Sequence, residues 1–343
     1  MNRIKILFIL YILVVSCSND KDKVLTVFKD EINVSPSRVV SLEDYDVLKP
    51  IDVLKVNEDY LIRDDKAYNL FTKINFQRNT ITRGIDKGNG PNEVNFITSV
   101  EQYKNKILIF DTSNKKISSI DIDNDSTLTL REETTLNAQN RSSMINYINN
   151  GFIGSGMFKD FWIGYFDIHS EALKSSISFP VFEETDHLVD IQKSVIFINT
   201  LTTVHPHKNK FVAATMKCGV LSFCEMSNDN IINEYKQIKY YPPQFNVVDD
   251  FGNIAYDKQY KVAFCDIDCC DDYVYVLYSG RSFETHGLLN HHCEHLLVYD
   301  WSGSPIKHYK LEIPMSSMRY ENQNKSIYGI GYNTEGVLLE YKL

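Results

Sequence analysis

Between Cys265 and His295 the chain concentrates the side chains best suited to metal or thiol chemistry. Cys265-Asp266-Ile267-Asp268-Cys269-Cys270-Asp271-Asp272 is followed by His286, and then by His291-His292-Cys293-Glu294-His295. Imidazole and thiolate suit zinc, which makes His291, Cys293 and His295 the candidate ligands. The spacing does not build a site. There is no C-x-x-C pair, and His291 shares a face with His295 only if the segment is helical. Because the next run, Leu296-Leu297-Val298-Tyr299, reads as a strand, the segment is expected as a polar loop decorating a sheet edge.

Six cysteines follow Cys17: Cys218, Cys224, Cys265, Cys269, Cys270 and Cys293. In an exported protein they could form three disulfides or remain as packed thiols. Cys265 and Cys269 on one strand would face the same side, too far apart to bond. A link from Cys269 or Cys270 to Cys293 would tie the loop to its sheet. Oxygen chemistry is the other option. Calcium requires several converging carboxylates and amides, and Glu43, Asp52, Asp266 and Asp268 lie near candidate strands without any pattern that makes them converge. Asp111, Asp167 and Asp300 sit where hairpin turns need a side-chain acceptor and are read as turn-formers. No G-x-S-x-G elbow is present, and Gly154-Ser155-Gly156 is too short for one. No reaction can be read from these residues. No cofactor is expected, and calcium or zinc are the ions these side chains could take.

The elements that must position these groups are strands. The chain has 343 residues, 43% hydrophobic and 12% aromatic, with a net charge of -9. That content excludes disorder, and the acidic balance argues against nucleic acid as a partner. Short apolar runs alternate with Asn, Asp, Gly and Ser turns, as at Lys106–Asp111 and Ile117–Ile122. An apolar run ending in a polar or acidic residue recurs at Leu70-Phe71-Thr72, Ile109-Phe110-Asp111, Tyr165-Phe166-Asp167, Ser222-Phe223-Cys224-Glu225, Val298-Tyr299-Asp300 and Leu338-Leu339-Glu340. Copies roughly 40–50 residues apart are the signature of four-stranded propeller blades. The longest interval, Glu225 to Asp300, is expected to hold insertions. The last copy leaves no room for a fourth strand after it. The run Val34 to Leu42 precedes the first copy and has no blade of its own. The sequence therefore predicts an all-β fold, a six-bladed β-propeller closed by an N-terminal strand that completes the last blade.

The first residues read as an address. Arg3 and Lys5 precede an apolar run from Ile6 to Val15, too short to span a bilayer but suited to a secretory signal. Val14-Val15-Ser16-Cys17 resembles the lipobox of bacterial lipoproteins, in which the Cys carries the lipid. The expected organisation is a signal peptide at 1–16, a lipidated Cys17 with a tether through residue 33, and a propeller over 34–343.

Residues 81–96 contain Gly88-Asn89-Gly90-Pro91-Asn92-Glu93. This G-x-G-P-x-E run resembles the element between the first two blades of TolB-like six-bladed β-propeller lipoproteins of Bacteroides-type bacteria. Val276-Leu277-Tyr278-Ser279-Gly280-Arg281 is similar to that family's LYSGR strand end, and Val298–Ile306 to its VfDwdG.pi hairpin. Val94 departs from the aromatic often found there. Gly88 and Gly90 are expected to supply positive φ and Pro91 a fixed one, a bend between blades and not a phosphate cradle. The resemblance implies an anchored cell-envelope protein on the outer membrane or cell surface. Such a chain is expected to be a monomer held to the membrane by its lipid, binding a protein, peptide or glycan. The alternative is a calcium-dependent, lactonase-like hydrolase with its site in the central channel.

Overall fold

The computed structural model describes residues 22–103, 106–122, 127–137, 139–249 and 252–343. Cys17 and the segment before it lie outside the described residues.

Four antiparallel sheets follow one another along the chain. The first contains Pro50–Val56, Asp59–Asp64, Asn69–Asn75 and Thr80–Lys87, with Glu93–Val94 added in parallel at its outer edge. The second contains Ile97–Tyr103, Lys106–Asp111, Lys116–Asp121 and Thr129–Thr135. The third contains Ser142–Ile148, Gly151–Gly156, Ile163–Asp167 and Leu173–Ile177. The fourth contains Thr200–Val204, Lys210–Thr215, Val220–Met226 and Ile232–Lys239. Each sheet is a meander, joined by the Asp-, Asn- and Gly-rich turns visible in the sequence.

The rest of the chain forms one larger sheet. Phe264–Cys269, Tyr273–Tyr278, Cys293–Asp300, Pro305–Glu321, Ser326–Asn333 and Glu335–Lys342 pair in chain order, and Arg38–Ser41 joins the far edge. Val39 faces Leu339 and Val40 faces Leu338 across that edge. The 17-residue strand Pro305–Glu321 has two halves: Pro305–Lys310 pairs with Cys293–Asp300, and Met315–Glu321 pairs with Ser326–Asn333. Glu31–Val34 lies parallel to the first of these halves.

The stretch assigned by sequence to a tether through residue 33 packs on this body from Asp22 onward. Val24 is buried among Val276, Leu297 and Tyr299, and the Tyr278 hydroxyl donates to Asp22. An apolar side chain this close to a polar start has to be covered, and the grooves between strands cover it.

Apolar side chains fill the space between consecutive sheets. Leu54, Phe71 and Ile85 of the first meet Ile107, Ile109 and Leu128 of the second. Phe110 and Ile117 then meet Phe152 and Phe166. Leu42, Val53 and Ile62 meet Ile330 and Leu338, which ties the start of the chain to its end. A twisted sheet cannot bury both faces alone, so stacking against two neighbours is the stable solution. The first strand of each sheet turns towards a common polar channel.

The recurring motif lies on the third strand of each meander except one. Ile109-Phe110-Asp111 is on the second strand of its sheet, and the equivalent third strand ends in Ser119-Ile120-Asp121. Both strands end an apolar run in Asp, so sequence alone could not tell them apart. The long interval does hold insertions: the hairpin Asn246–Val247 and Ile254–Ala255, and the turns Phe283–His286 and Gly287–His291. One two-turn helix, Asp190–Phe197, precedes the fourth sheet.

The G-x-G-P-x-E bend works differently from the expectation. The Gly90 N–H donates to the Glu93 carboxylate at 2.6 Å, and a Cβ on Gly88 would sit 2.1 Å from that same oxygen. The glycines are needed to seat Glu93, while Gly90 shows no positive φ. Asp111, Asp167 and Asp300 accept turn N–H groups from Ser113, Ser170 and Ser302 respectively.

Candidate functional site

The innermost strands surround a cavity of about 1360 Å³. Its wall is polar: Thr98, Gln102, Asn146, Asn150, Thr203 and Ser316 face it beside several acids and bases.

The innermost strand of a sheet has N–H groups with no further strand to pair with, and each must find an acceptor. Side chains at alternate positions of the preceding innermost strand supply them. Ser99 Oγ accepts from Ile145 N at 2.9 Å, and Glu101 accepts from Tyr147 N at 3.0 Å. Asp266 accepts from Met318 N at 2.8 Å, and Asp268 accepts from Tyr320 N at 2.7 Å. Because residues two apart point the same way on a strand, the pattern x-Ser-x-Glu or x-Asp-x-Asp matches the spacing of the N–H groups it caps. Lys55 N is instead capped by the Tyr328 hydroxyl, which accepts at 2.9 Å from the neighbouring strand Ser326–Asn333.

Arg319 lies at the centre of the charge. Its Nη2 donates to both oxygens of Asp52, at 2.9 and 3.1 Å, and its Nη1 donates to Asp266 at 2.9 Å. These side chains are only 15–18% exposed. Burial disfavours the Arg319 charge, but Asp52, Asp266 and Asp268 outweigh it and raise its pKa. Burial pushes Asp266 and Asp268 upward, with Arg319 opposing. Glu101 has no cation partner among the described residues. Burial raises it to about 7, against the lowering effect of hydrogen bonds from Asn146 and Tyr147 N.

Of the four acids flagged in the sequence, Asp52, Asp266 and Asp268 converge on Arg319. Glu43 does not: it lies in the turn Glu43–Tyr45 beside Glu335, whose hydrogen bond and charge raise its pKa. Neither Arg319 nor Glu101 was flagged. The available signal was a charge directly after an apolar residue within a strand, at Met318-Arg319-Tyr320 and Val100-Glu101-Gln102.

His291, Cys293 and His295 do not form one site. His291 ends a short 3-10 turn, and Cys293 and His295 open the strand Cys293–Asp300. Cys293 is buried beside Cys265, not linked to Cys269 or Cys270. All six cysteines after Cys17 are free thiols. The hydrogen bond with Cys293, helped by His291, holds the Cys265 thiol below its ordinary range. Cys269 faces Thr203 and donates to Val204 O at 3.2 Å. His295 turns towards His308 instead. Ser155 is buried and donates to Thr200 O at 2.8 Å.

His205 was also missed by sequence reasoning. Its Nδ1 accepts from His207 N and Lys208 N, so Nε2 carries the proton that meets Asp271 O at 3.1 Å. Burial lowers its pKa, so the ring is a neutral brace against Trp301.

Stacked meanders around a polar channel define a β-propeller. The chain belongs to the TolB-like 6-blade propeller-like family, which matches residues 27–320. No curated protein matches it. Among solved structures it is similar to a protein described as exported from Bacteroides fragilis. That likeness has 12% identity and a TM-score of 0.51, covering 92% of this chain and 99% of the other. A luciferin-regenerating enzyme has 9% identity and a TM-score of 0.47, covering 89% and 95%. The Cps50 β-propeller domain of Myceliophteria thermophila has 8% identity and a TM-score of 0.46, covering 84% and 96%. Among the described residues no helix is long and apolar enough to cross a membrane.

Proposed function

We propose that this protein is a lipid-anchored, six-bladed propeller of the cell envelope that binds a neutral polar ligand, an oligosaccharide, in its central cavity. The blade count is supported by the split of the larger sheet at Pro305–Glu321 into two groups. Tyr275, Leu277 and Cys293 pack against Met315, Ile327 and Leu339 between those groups, as the other sheets pack on one another. In this reading Arg38–Ser41 is the fourth strand of the last blade and closes the ring. The export signal and the lipobox-like Val14-Val15-Ser16-Cys17 support the anchor at Cys17.

The observation that carries the binding reading is Arg319 held between Asp52 and Asp266. Carboxylates that could have ligated a calcium ion on the axis are already committed to a guanidinium and to backbone N–H groups. Calcium would have to displace a permanent cation, which disfavours the hydrolase reading. With Arg319, Asp52 and Asp266 paired among themselves, much of the remaining wall is amide, hydroxyl and tyrosine surface. Tyr103 and Tyr147 lie 5.1 Å apart at the wall, and such rings suit the apolar faces of sugars.

The test is titration of the purified protein with a panel of neutral oligosaccharides, polar peptides and apolar peptides. Oligosaccharide binding weakened tenfold or more by Gln102→Ala with Asn150→Ala supports the proposal. Binding confined to peptides, or indifferent to those changes, contradicts it.

A further inference from the structure

Three adjacent strands present Glu31, His308 and His295 on one face of the larger sheet. Glu31 lies directly opposite His308 in the parallel pair. His308 faces Leu297 in the antiparallel pair, and His295 is two residues from Leu297 on the same side. The pleat therefore aims all three side chains at one point. His295 Nδ1 is 2.9 Å from His308 Nε2, and Glu31 Oε2 is 3.8 Å from the same His308 nitrogen. One ligand atom from each residue lies within 4.8 Å of the other two.

From this geometry we propose that Glu31, His295 and His308 bind a zinc ion that fastens the N-terminal strand to the sheet. Zinc takes nitrogen and oxygen ligands at about 2.0–2.2 Å in a tetrahedron, and two imidazoles with one carboxylate leave the fourth position to water. Imidazoles must be neutral to ligate, and burial favours the neutral ring at both positions, lowering His295 to about 4. Two neutral rings whose nitrogens face each other share one proton. On metal binding that proton moves to the outer nitrogen of the ring that carries it, and both inner nitrogens become ligands. No electron is transferred and no covalent bond breaks. Lys310 is across from His295 on the neighbouring strand and opposes a cation, while Glu31 and Glu294 favour one. Phe28 and Tyr278 pack against the two rings and limit their rotation.

The site differs from the central cavity and does not depend on what that cavity binds. It joins a strand only nine residues beyond Asp22, the start of the described chain, to the body. A bound ion would thus hold the segment that follows the proposed anchor.

The experiment uses the purified protein stripped with EDTA, dialysed and titrated calorimetrically with zinc chloride. One ion per chain with micromolar or tighter affinity is expected. Glu31→Gln should weaken it tenfold or more, and His295→Gln should abolish it. Zinc should also slow proteolytic cutting within residues 22–34 in the wild type but not in His295→Gln. The proposal is overturned by no stoichiometric binding at 100-fold molar excess of zinc, which would leave a plain imidazole–imidazole hydrogen bond. It is equally overturned by binding that survives His295→Gln and is lost on Cys265→Ser. Thermal melts of each variant in EDTA separate a lost ligand from a lost fold.

Discussion

Glu101 and Arg319 show two ways of keeping charge inside a polar channel, and each has a measurable consequence. Glu101 accepts from Asn146 and Tyr147 N, and with no cation beside it among the described residues burial holds its folded pKa near 7, well above its unfolded value. Between about pH 4.5 and 7 the unfolded chain has lost this proton while the folded chain keeps it. Stability therefore falls as pH rises through that window. Urea denaturation across pH 4–8 should show Glu101→Gln removing this part of the slope, on the order of 3 kcal/mol at about 1.4 kcal/mol per pKa unit. An unchanged slope would place the ionised carboxylate in water. Arg319 behaves oppositely: Arg319→Met leaves Asp52 and Asp266 close together without a cation and should cost about 3–5 kcal/mol by urea denaturation. Adding Asp52→Asn and Asp266→Asn to it should recover much of that loss. No recovery would mean that Arg319 acts by packing alone.

At the scale of elements, the pairing of Arg38–Ser41 with Glu335–Lys342 is the contact between the most distant parts of the chain. It is reinforced by Ser37 N donating to Glu340 O at 2.7 Å and by the Arg38–Glu340 ion pair at 3.3 Å. Leu42 is fully buried just beyond it. Leu42→Ala should cost about 2–5 kcal/mol in a denaturant melt, the range for a large buried aliphatic side chain. Deleting residues 22–41 should do worse. It uncovers the edge of Glu335–Lys342, and such an edge templates aggregation, to be seen by light scattering. A monodisperse deletion variant with wild-type stability would show that this strand is ornamental. The elements themselves were legible because alternation and turn chemistry are local. The Val34–Leu42 run was visible as a strand without a partner of its own, and Val39 and Val40 pair with Leu339 and Leu338. The slip at Ile109–Asp111 came from two neighbouring strands with the same apolar-to-Asp ending. The N-terminal segment was misjudged because Glu31–Val34 pairs in parallel with a strand some 277 residues away, which no local pattern encodes.

For the whole molecule, the site was half legible. Asp52, Asp266 and Asp268 could be named from alternation on innermost strands, but their convergence depends on ring geometry and on Arg319, one charge in an otherwise ordinary strand. The residues of the His–Cys cluster are close in sequence, but their spacing pointed to a polar loop and not to a built site. Folding sends Cys293 into the core beside Cys265 and turns His295 outward to His308. What the inner strands offer together is a walled polar cavity in which Arg319 is paired with Asp52 and Asp266, and the proposed binding of a neutral ligand rests on that pairing. Hydrogen–deuterium exchange of the purified protein, with and without the best-binding neutral oligosaccharide of the panel, tests that claim most directly. The account predicts slowed exchange in peptides spanning 97–103, 142–148 and 315–321, with the outer strands unaffected. Protection on the outer strands alone, or no oligosaccharide that binds, would contradict it.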